Sequence, residues 1–419
     1  MSGQPPPLTV TGARLDGAAA GVRCVEGRIA AIGPDVAPEP GDEVIAANDA
    51  PLVPALLNGH THAAMTLFRG YGEDMPLRRW LEEKIWPAEA RLEAEDVYWG
   101  ARLACLEMIK TGTGRFWDMY WHPEATARAV QEAGLRATIG APLIDAGRDP
   151  AAMREAALAG LEQLADGPAI TPSLAPHSIY TVSEDSLRWI ADQSAARSWP
   201  VQIHLSETER EVSDCLREHG LRPAHYLDRV GLLGERTALA HGVWLDEDEL
   251  SLIAERGATV VTNPVANLKL AVGGVFPYPL AREAGVAVGL GTDGAGSNNS
   301  LDLFSDVKFF ALLQKHAAGD PAILDAGEAW EIACGARSAL LGGAAHLEAG
   351  APADFLLLRP RSPELSLGEE TAGLVYAASG SVVDTTVVAG RVLMRDGIVE
   401  GGEEVVAKAR ERVERLLRR

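Results

Sequence analysis

Eight short apolar runs, each followed by helical material, predict an α/β protein whose parallel strands close into a (β/α)8 barrel of the TIM type. Short strand-and-turn segments recur only at the two ends of the chain and predict a small β-sandwich domain built from both. Histidines and carboxylates stand at the carboxyl ends of several of the apolar runs. In barrels of this kind that is the end that carries the chemistry.

The N-terminal β material is LTVTGARL, GVRCVEGRIAAIG and EVIAA, punctuated by Gly and Asp. Its counterpart is ADFLLLR and SVVDTTVVAGRVLMRDGIV near the end. Residues 1–54 and 348–419 are therefore assigned to one composite domain and residues 55–347 to the barrel. The first barrel strand is read as Leu52–Leu57, a run bounded like a buried parallel strand and ending on Asn58 and Gly59. A long segment rich in Trp, Arg and Glu follows, from Ala63 to Arg91. The next helix fits Glu95–Lys110, with Leu103, Leu106 and Ile109 on one stripe. TGRFWDMY is the second strand, and Pro123 opens the helix after it. RATIGAPLID and a helix from Pro150 come next, then AITPSLAPHSIYT and a helix capped by Ser183. PVQIHLSE leads into the charged helix ETEREVSDCLREHG. TALAHGVWL leads into a helix whose Asp246 and Glu249 have capping-box spacing. TVVTNPVAN and VAVGLGTDG complete the eight. The final EEVVAKARERVERLLRR reads as an amphipathic helix with a basic end suited to a helix dipole or a docking surface.

The chain has 419 residues, 47% of them hydrophobic, which is ample for a large barrel with a small appended domain. Its net charge of −21 disfavours nucleic acid and anionic membrane as partners. No apolar run approaches the ~18 residues that span a bilayer, and MSGQPPPLTV lacks the layout of a signal peptide. Cys24, Cys105, Cys215 and Cys334 form no CxxC pair, as expected of reduced thiols in a cytoplasmic protein. A homo-oligomer is compatible with all of this.

His60 and His62 emerge two residues apart where the first strand ends, so their side chains share a face. An HxH pair by itself is equally at home in a solvated loop. Here His177 ends the fourth strand, His204 the fifth, His241 the sixth and Asp293 the eighth. The other five histidines (His122, His219, His225, His316 and His346) fall in helices or loops and suit surface roles. Two imidazoles, a third from His204 and the Asp293 carboxylate make a nitrogen/oxygen set for one divalent ion, which lowers the pKa of its water to about 7. Glu207, three residues beyond His204, can reach a substrate without being a ligand. His241 can hydrogen-bond or deprotonate the water. AITPSLAPHS contains no lysine to bridge a second metal, so one ion per chain is expected.

NGHTH, HLSE, the following AHG, NPVANLKL and GTDGAGSNNSLD together resemble the amidohydrolase superfamily, in its mononuclear deaminase and chlorohydrolase branch. Within it, LFRGYGEDMPLRRWLEEKIWPAEARL and PHSIYT are most similar to 5′-methylthioadenosine/S-adenosylhomocysteine deaminases. The resemblance implies that His60, His62, His204 and Asp293 bind zinc, with iron(II) the alternative, and that Glu207 shuttles protons to a ring nitrogen. It also implies that His177 and Glu89 contact the base and the ribose hydroxyls. A carboxylate can accept both hydrogen bonds of a vicinal diol. The implied substrate is a small molecule, an adenine-type nucleoside such as 5′-methylthioadenosine, adenosine or S-adenosylhomocysteine.

One departure concerns the third strand end, GAPLID, which has no basic group before Arg148. Neutral 5′-substituents are expected to be preferred unless the Arg148 loop folds over the site. Trp117 and Trp121 are expected beside the second strand end, with no substrate preference to be read from them. Two other functions compete: hydrolysis of another amino- or chloro-substituted ring (guanine, a pterin, cytosine or a triazine), and a scaffold without catalysis. Loss of ligands would mark the scaffold, and every ligand position is filled. The cytidine-deaminase type of zinc site needs a PCxxC pair that this chain lacks.

Overall fold

The computed structural model describes residues 5–417 except 165, 166, 168, 366 and 367. Strands β1 (Leu8–Leu15), β2 (Ala18–Val25), β3 (Arg28–Gly33) and β4 (Glu43–Ala46) form one sheet in the order β3-β2-β1-β4. β5 (Leu52–Pro54) lies at the edge of a second sheet. There it pairs antiparallel with β14 (Phe355–Leu358), Leu52 opposite Leu357 and Pro54 opposite Phe355. β15 (Val383–Val388) and β16 (Arg391–Met394) complete that sheet. The sheets share a core that includes Val10, Val22 and Ile29 from one and Leu52, Phe355 and Val387 from the other. The two ends of the chain thus meet in one sandwich.

Between them lie eight parallel strands in chain order: β6 (Leu56–Thr61), β7 (Thr113–Met119), β8 (Arg136–Leu143), β9 (Ile170–Pro176), β10 (Val201–Leu205), β11 (Thr237–His241), β12 (Thr259–Thr262) and β13 (Ala287–Leu290). Helices separate them, and the sheet curls into a (β/α)8 barrel. β6, β10 and β11 are buried at every residue, because a parallel sheet is covered on both faces. β6 and β13 are joined by side chains and single backbone bonds. Asn58 Oδ1 accepts the Thr292 amide at 3.1 Å, Asn58 Nδ2 donates to Thr292 Oγ1 at 2.7 Å, and the Asp293 amide donates to the His60 carbonyl at 3.0 Å.

Three expectations are corrected. Leu52–Leu57 is two strands, not one. Pro54 has no amide to give a ladder and sits on a sheet edge, whereas the barrel strand begins at Leu56 and runs on through Asn58 and Gly59 to Thr61. The first long helix, Ala94–Lys110, buries Val97, Ala101, Ala104, Cys105 and Met108, with Ile109 at the edge. Leu103 and Leu106 are only half-buried, so the buried stripe lies one side of the predicted one. Trp117 is mid-strand, packed with Leu57, Ala238 and Val261 in the barrel interior and away from the rim.

The C-terminal helix, Gly402–Leu417, docks on the chain itself through Val405, Ala409 and Leu416. Arg415 bonds the Glu93 carboxylate at 3.0 Å, the Arg91 carbonyl at 3.1 Å and Asp96. Glu93 and Asp96 are the capping box of helix Ala94–Lys110, so the basic end completes a helix N-terminus. Among the described residues no helix is long and apolar enough to cross a membrane.

Candidate active site at the carboxyl end of the barrel

His60 lies near the end of β6 and His62 just past it, so the two rings leave one strand on one face. β10 supplies His204 and β11 supplies His241, while Asp293 follows β13. Asp293 and His241 have φ of 60° and 77°, left-handed values that cost a non-glycine residue energy and cluster at functional sites. The close approach of the eighth strand end to the first requires glycine. A Cβ on Gly291 would meet the Asn263 side-chain oxygen at 2.4 Å and the His60 carbonyl at 2.8 Å.

The ring nitrogens reveal what the cluster is built for. His62 Nδ1 donates to the Met119 carbonyl at 2.6 Å, and His204 Nδ1 donates to the His177 carbonyl at 2.7 Å. His241 Nδ1 donates to Asn267 Oδ1 at 2.8 Å. A neutral imidazole has one N–H, so in that state each Nε2 keeps its lone pair. The Nε2 atoms of His62 and His204 nevertheless face each other at 3.3 Å. His60 is buried with neither ring nitrogen hydrogen-bonded. Asp293 Oδ1 lies 3.2 Å from His62 Nε2 and 3.6 Å from His60 Nε2, and its Oδ2 accepts from Ser297 Oγ at 2.7 Å. Converging imidazole nitrogens and one carboxylate call for a cation between them. Against burial, which lowers it, the Asp293 carboxylate raises the His62 pKa to about 9, so its Nε2 holds a proton that a metal ion would replace. The donor set therefore fits a divalent metal of the zinc or iron type. The fixed Nδ1 bonds are the outer hydrogen bonds that ligating histidines normally make.

Ligand-type atoms of His60, His204, His241 and Asp293 all lie within 4.8 Å of one another. His62 stands outside that foursome but touches two of its members. Its ring centre is 5.0 Å from His60 and 5.3 Å from His204, whereas His241 is 5.8 and 5.5 Å from the same two rings. Burial holds His204 well below the ordinary imidazole pKa, with the neighbouring rings adding to the effect, and so keeps it in the neutral state a ligand needs.

A cleft over the cluster is lined by Glu207, His177, Ser297 and an apolar wall that includes Met65, Trp80, Ile85 and Leu270. Burial pushes the Glu207 carboxyl up to about 8, and the Asp293 charge pushes the same way, which suits it to hold and pass on a proton near neutral pH. The His177 ring nitrogen Nδ1 is 3.0 Å from Thr181 Oγ1. Glu89, on the short helix Trp86–Glu89, accepts from the Tyr120 hydroxyl at 2.7 Å and from Trp121 Nε1 at 3.4 Å. Each of its oxygens keeps a free lone pair. Glu89 also lines an outer cavity of about 880 Å³ that opens from the cleft. Arg148 lines that cavity, exposed and 6.0 Å from the centre of the Trp121 ring. Arg78 and Arg210 line it too, paired with Glu82 at 2.7 Å and Asp214 at 3.3 Å.

Every residue named from the sequence for the site except Trp117 thus borders the cleft, the cluster beneath it or the outer cavity. Trp121 lines both the cleft and the outer cavity. Tyr120, Asn267, Ser297 and Glu211 were missed. Asn267 and Ser297 stand inside NPVANLKL and GTDGAGSNNSLD, and Glu211 is the last residue of Thr208-x-x-Glu211, the spacing of a capping box.

The amidohydrolase family model matches residues 52–393. A 5′-deoxyadenosine deaminase of Methanoregula boonei is 49% identical over 374 residues, covering 88% of this chain and 84% of its own length. A 5-methylthioadenosine/S-adenosylhomocysteine deaminase of Moorella thermoacetica is 43% identical over 380 residues, 89% of either chain. Among solved structures, an adenosine deaminase from Xanthomonas campestris with bound zinc superposes with a TM-score of 0.91 at 32% identity, over 98% of both chains.

Proposed function

The chain belongs to the amidohydrolase family, and we propose that it is a divalent-metal-dependent deaminase of adenine-type nucleosides, releasing ammonia and an inosine-type product. One arrangement carries the reading. A lone-pair cluster suited to one metal and Glu207, its carboxyl pKa raised by burial, line the inner cleft, and Glu89 lines both that cleft and the cavity outside it. A ring with its reacting carbon over the cluster would therefore set its sugar against Glu89 and direct its 5′-substituent outward.

His60, His62, His204 and Asp293 would hold the ion, zinc by preference. Such an ion supplies a Lewis acid and acidifies water. Glu207 gives its carboxyl proton to the ring nitrogen beside the amino-bearing carbon as a C–O bond forms there. His241, its Nδ1 committed to Asn267, presents a free Nε2 to take the proton of the attacking water. His241 hands that proton to Asp293, which passes it to the departing amine. The C–N bond breaks, ammonia leaves, and the proton of the new hydroxyl returns to Glu207 as the carbonyl forms. His177 meets the base, and Glu89 accepts the two ribose hydroxyls through the lone pairs that Tyr120 and Trp121 leave free. The reading includes a cytoplasmic setting, supported by four free and buried cysteines.

Arg148 can meet a charged 5′-tail, but it is exposed, and an exposed ion pair is worth about 0.2–1 kcal/mol. A carboxylate-bearing tail is therefore tolerated and neutral 5′-groups remain good substrates. Ammonia release from a panel of adenine nucleosides, guanosine, cytidine, free bases and a triazine tests the assignment. Turnover confined to the adenine nucleosides supports it, and preference for a free base or a triazine would replace it with the wider heterocycle reading.

A further inference from the structure

Thr208 caps the helix Glu209–His219, its hydroxyl accepting the Glu211 amide at 3.2 Å. In an ordinary capping box the glutamate three residues on reaches back to the amide of the cap residue itself. The Glu211 carboxyl group, whose pKa burial raises to about 8, reaches further. Oε1 accepts the Ser206 amide and Oε2 accepts the Glu207 amide, each at 2.9 Å. Both amides lie beyond the last residue of β10, where the ladder has ended. Ser206 has φ 50°, a left-handed value that a serine holds only under constraint. The Ser206 carbonyl is also tied down, by the Trp244 amide at 2.9 Å. Glu211 is 5% exposed, so this clamp is kept despite the cost of burying a carboxyl group, which a surface helix cap does not incur.

We propose that Glu211 is a positioning residue whose carboxyl oxygens fix the Ser206–Glu207 backbone and thereby set where the Glu207 carboxyl meets the substrate ring. The inference rests on the reading of Glu207 as the proton carrier. It assigns a task to a buried acid that the reaction itself does not use.

A double-mutant cycle on the zinc-loaded enzyme tests it, with Glu211→Gln, Glu207→Gln and the double variant measured for kcat, KM, zinc content and thermal stability. Glutamine offers one acceptor oxygen for two amides and turns its own amide toward the other. Misplacing a reacting group by about 1 Å costs up to roughly a hundredfold. Glu211→Gln should therefore lower kcat roughly ten- to hundredfold, with KM and zinc content close to the parent. In the Glu207→Gln background the same change should move kcat by no more than about twofold, because coupled residues lose non-additively. A full loss retained in that background would overturn the proposal, as would a Glu211→Gln enzyme that loses only thermal stability. A Glu207→Gln enzyme with parental turnover would overturn the proton-carrier reading and this inference with it, in a different corner of the cycle. If Glu211→Gln does not fold, Glu211→Asp enters the same cycle under the same criteria, since it keeps both acceptor oxygens one methylene short.

Discussion

Replacing Glu89 with alanine separates a nucleoside site from a site for free bases. The Glu89 carboxylate is half-buried and already accepts from Tyr120 at 2.7 Å and from Trp121 at 3.4 Å, so its position is fixed before substrate arrives. Burial raises its pKa, while the Tyr120 and Trp121 bonds work against that rise. A hydrogen bond to a charged acceptor contributes about 1.5–3 kcal/mol. The two diol bonds share one carboxylate and do not add in full. Glu89→Ala should then lower kcat/KM for 5′-deoxyadenosine roughly ten- to hundredfold and leave free adenine nearly unaffected. The change also strands the Tyr120 hydroxyl and the Trp121 N–H, at about 1–3 kcal/mol each where water cannot replace the acceptor. Thermal stability should therefore fall as well, and it must be measured beside the kinetics. The assay is ammonia release from both substrates by folded, zinc-loaded protein. Equal losses on nucleoside and base would mean that Glu89 only ties the helix Trp86–Glu89 to Tyr120 and Trp121 and does not read the sugar.

His204→Ala should lose metal and activity together, because an opened coordination shell binds its ion poorly; a variant that keeps its zinc by elemental analysis would remove His204 from the ligand set. Glu207→Gln should retain zinc while kcat falls by roughly 10²–10⁴, and near-normal turnover would show that another group carries the proton. Arg148→Ala should reduce kcat/KM for S-adenosylhomocysteine by about fivefold at most and leave 5′-deoxyadenosine unchanged. A far larger loss, confined to the charged substrate, would show that Arg148 is desolvated on binding.

What could be read in the sequence was what has a local cause. The barrel follows from apolar runs that alternate with helices, and the histidines declared themselves because each stood at the end of such a run. The capping boxes and prolines that start helices are short-range signals too, and Pro123, Pro150, Ser183 and Asp246 all open helices as expected. Long-range pairing left no such mark. Leu52 and Leu56 look alike in sequence, yet one pairs with β14 and the other with β7, a choice made by partners 305 and 57 residues away. Trp117 was misjudged because a strand's end cannot be fixed from composition. Tyr120, Asn267 and Ser297 are ordinary residues until folding brings each within 2.8 Å of Glu89, His241 or Asp293. Arg148 reaches the outer cavity through the course of its loop.

The central claim is that one metal per chain converts this cleft into an adenine-nucleoside deaminase. Ammonia release from 5′-deoxyadenosine, followed while metal-free protein is titrated with zinc, tests it in a single measurement. The rate should rise linearly from near zero and break at one zinc per chain. A break at two zinc ions per chain, a rate independent of zinc, or no ammonia at any loading would contradict it.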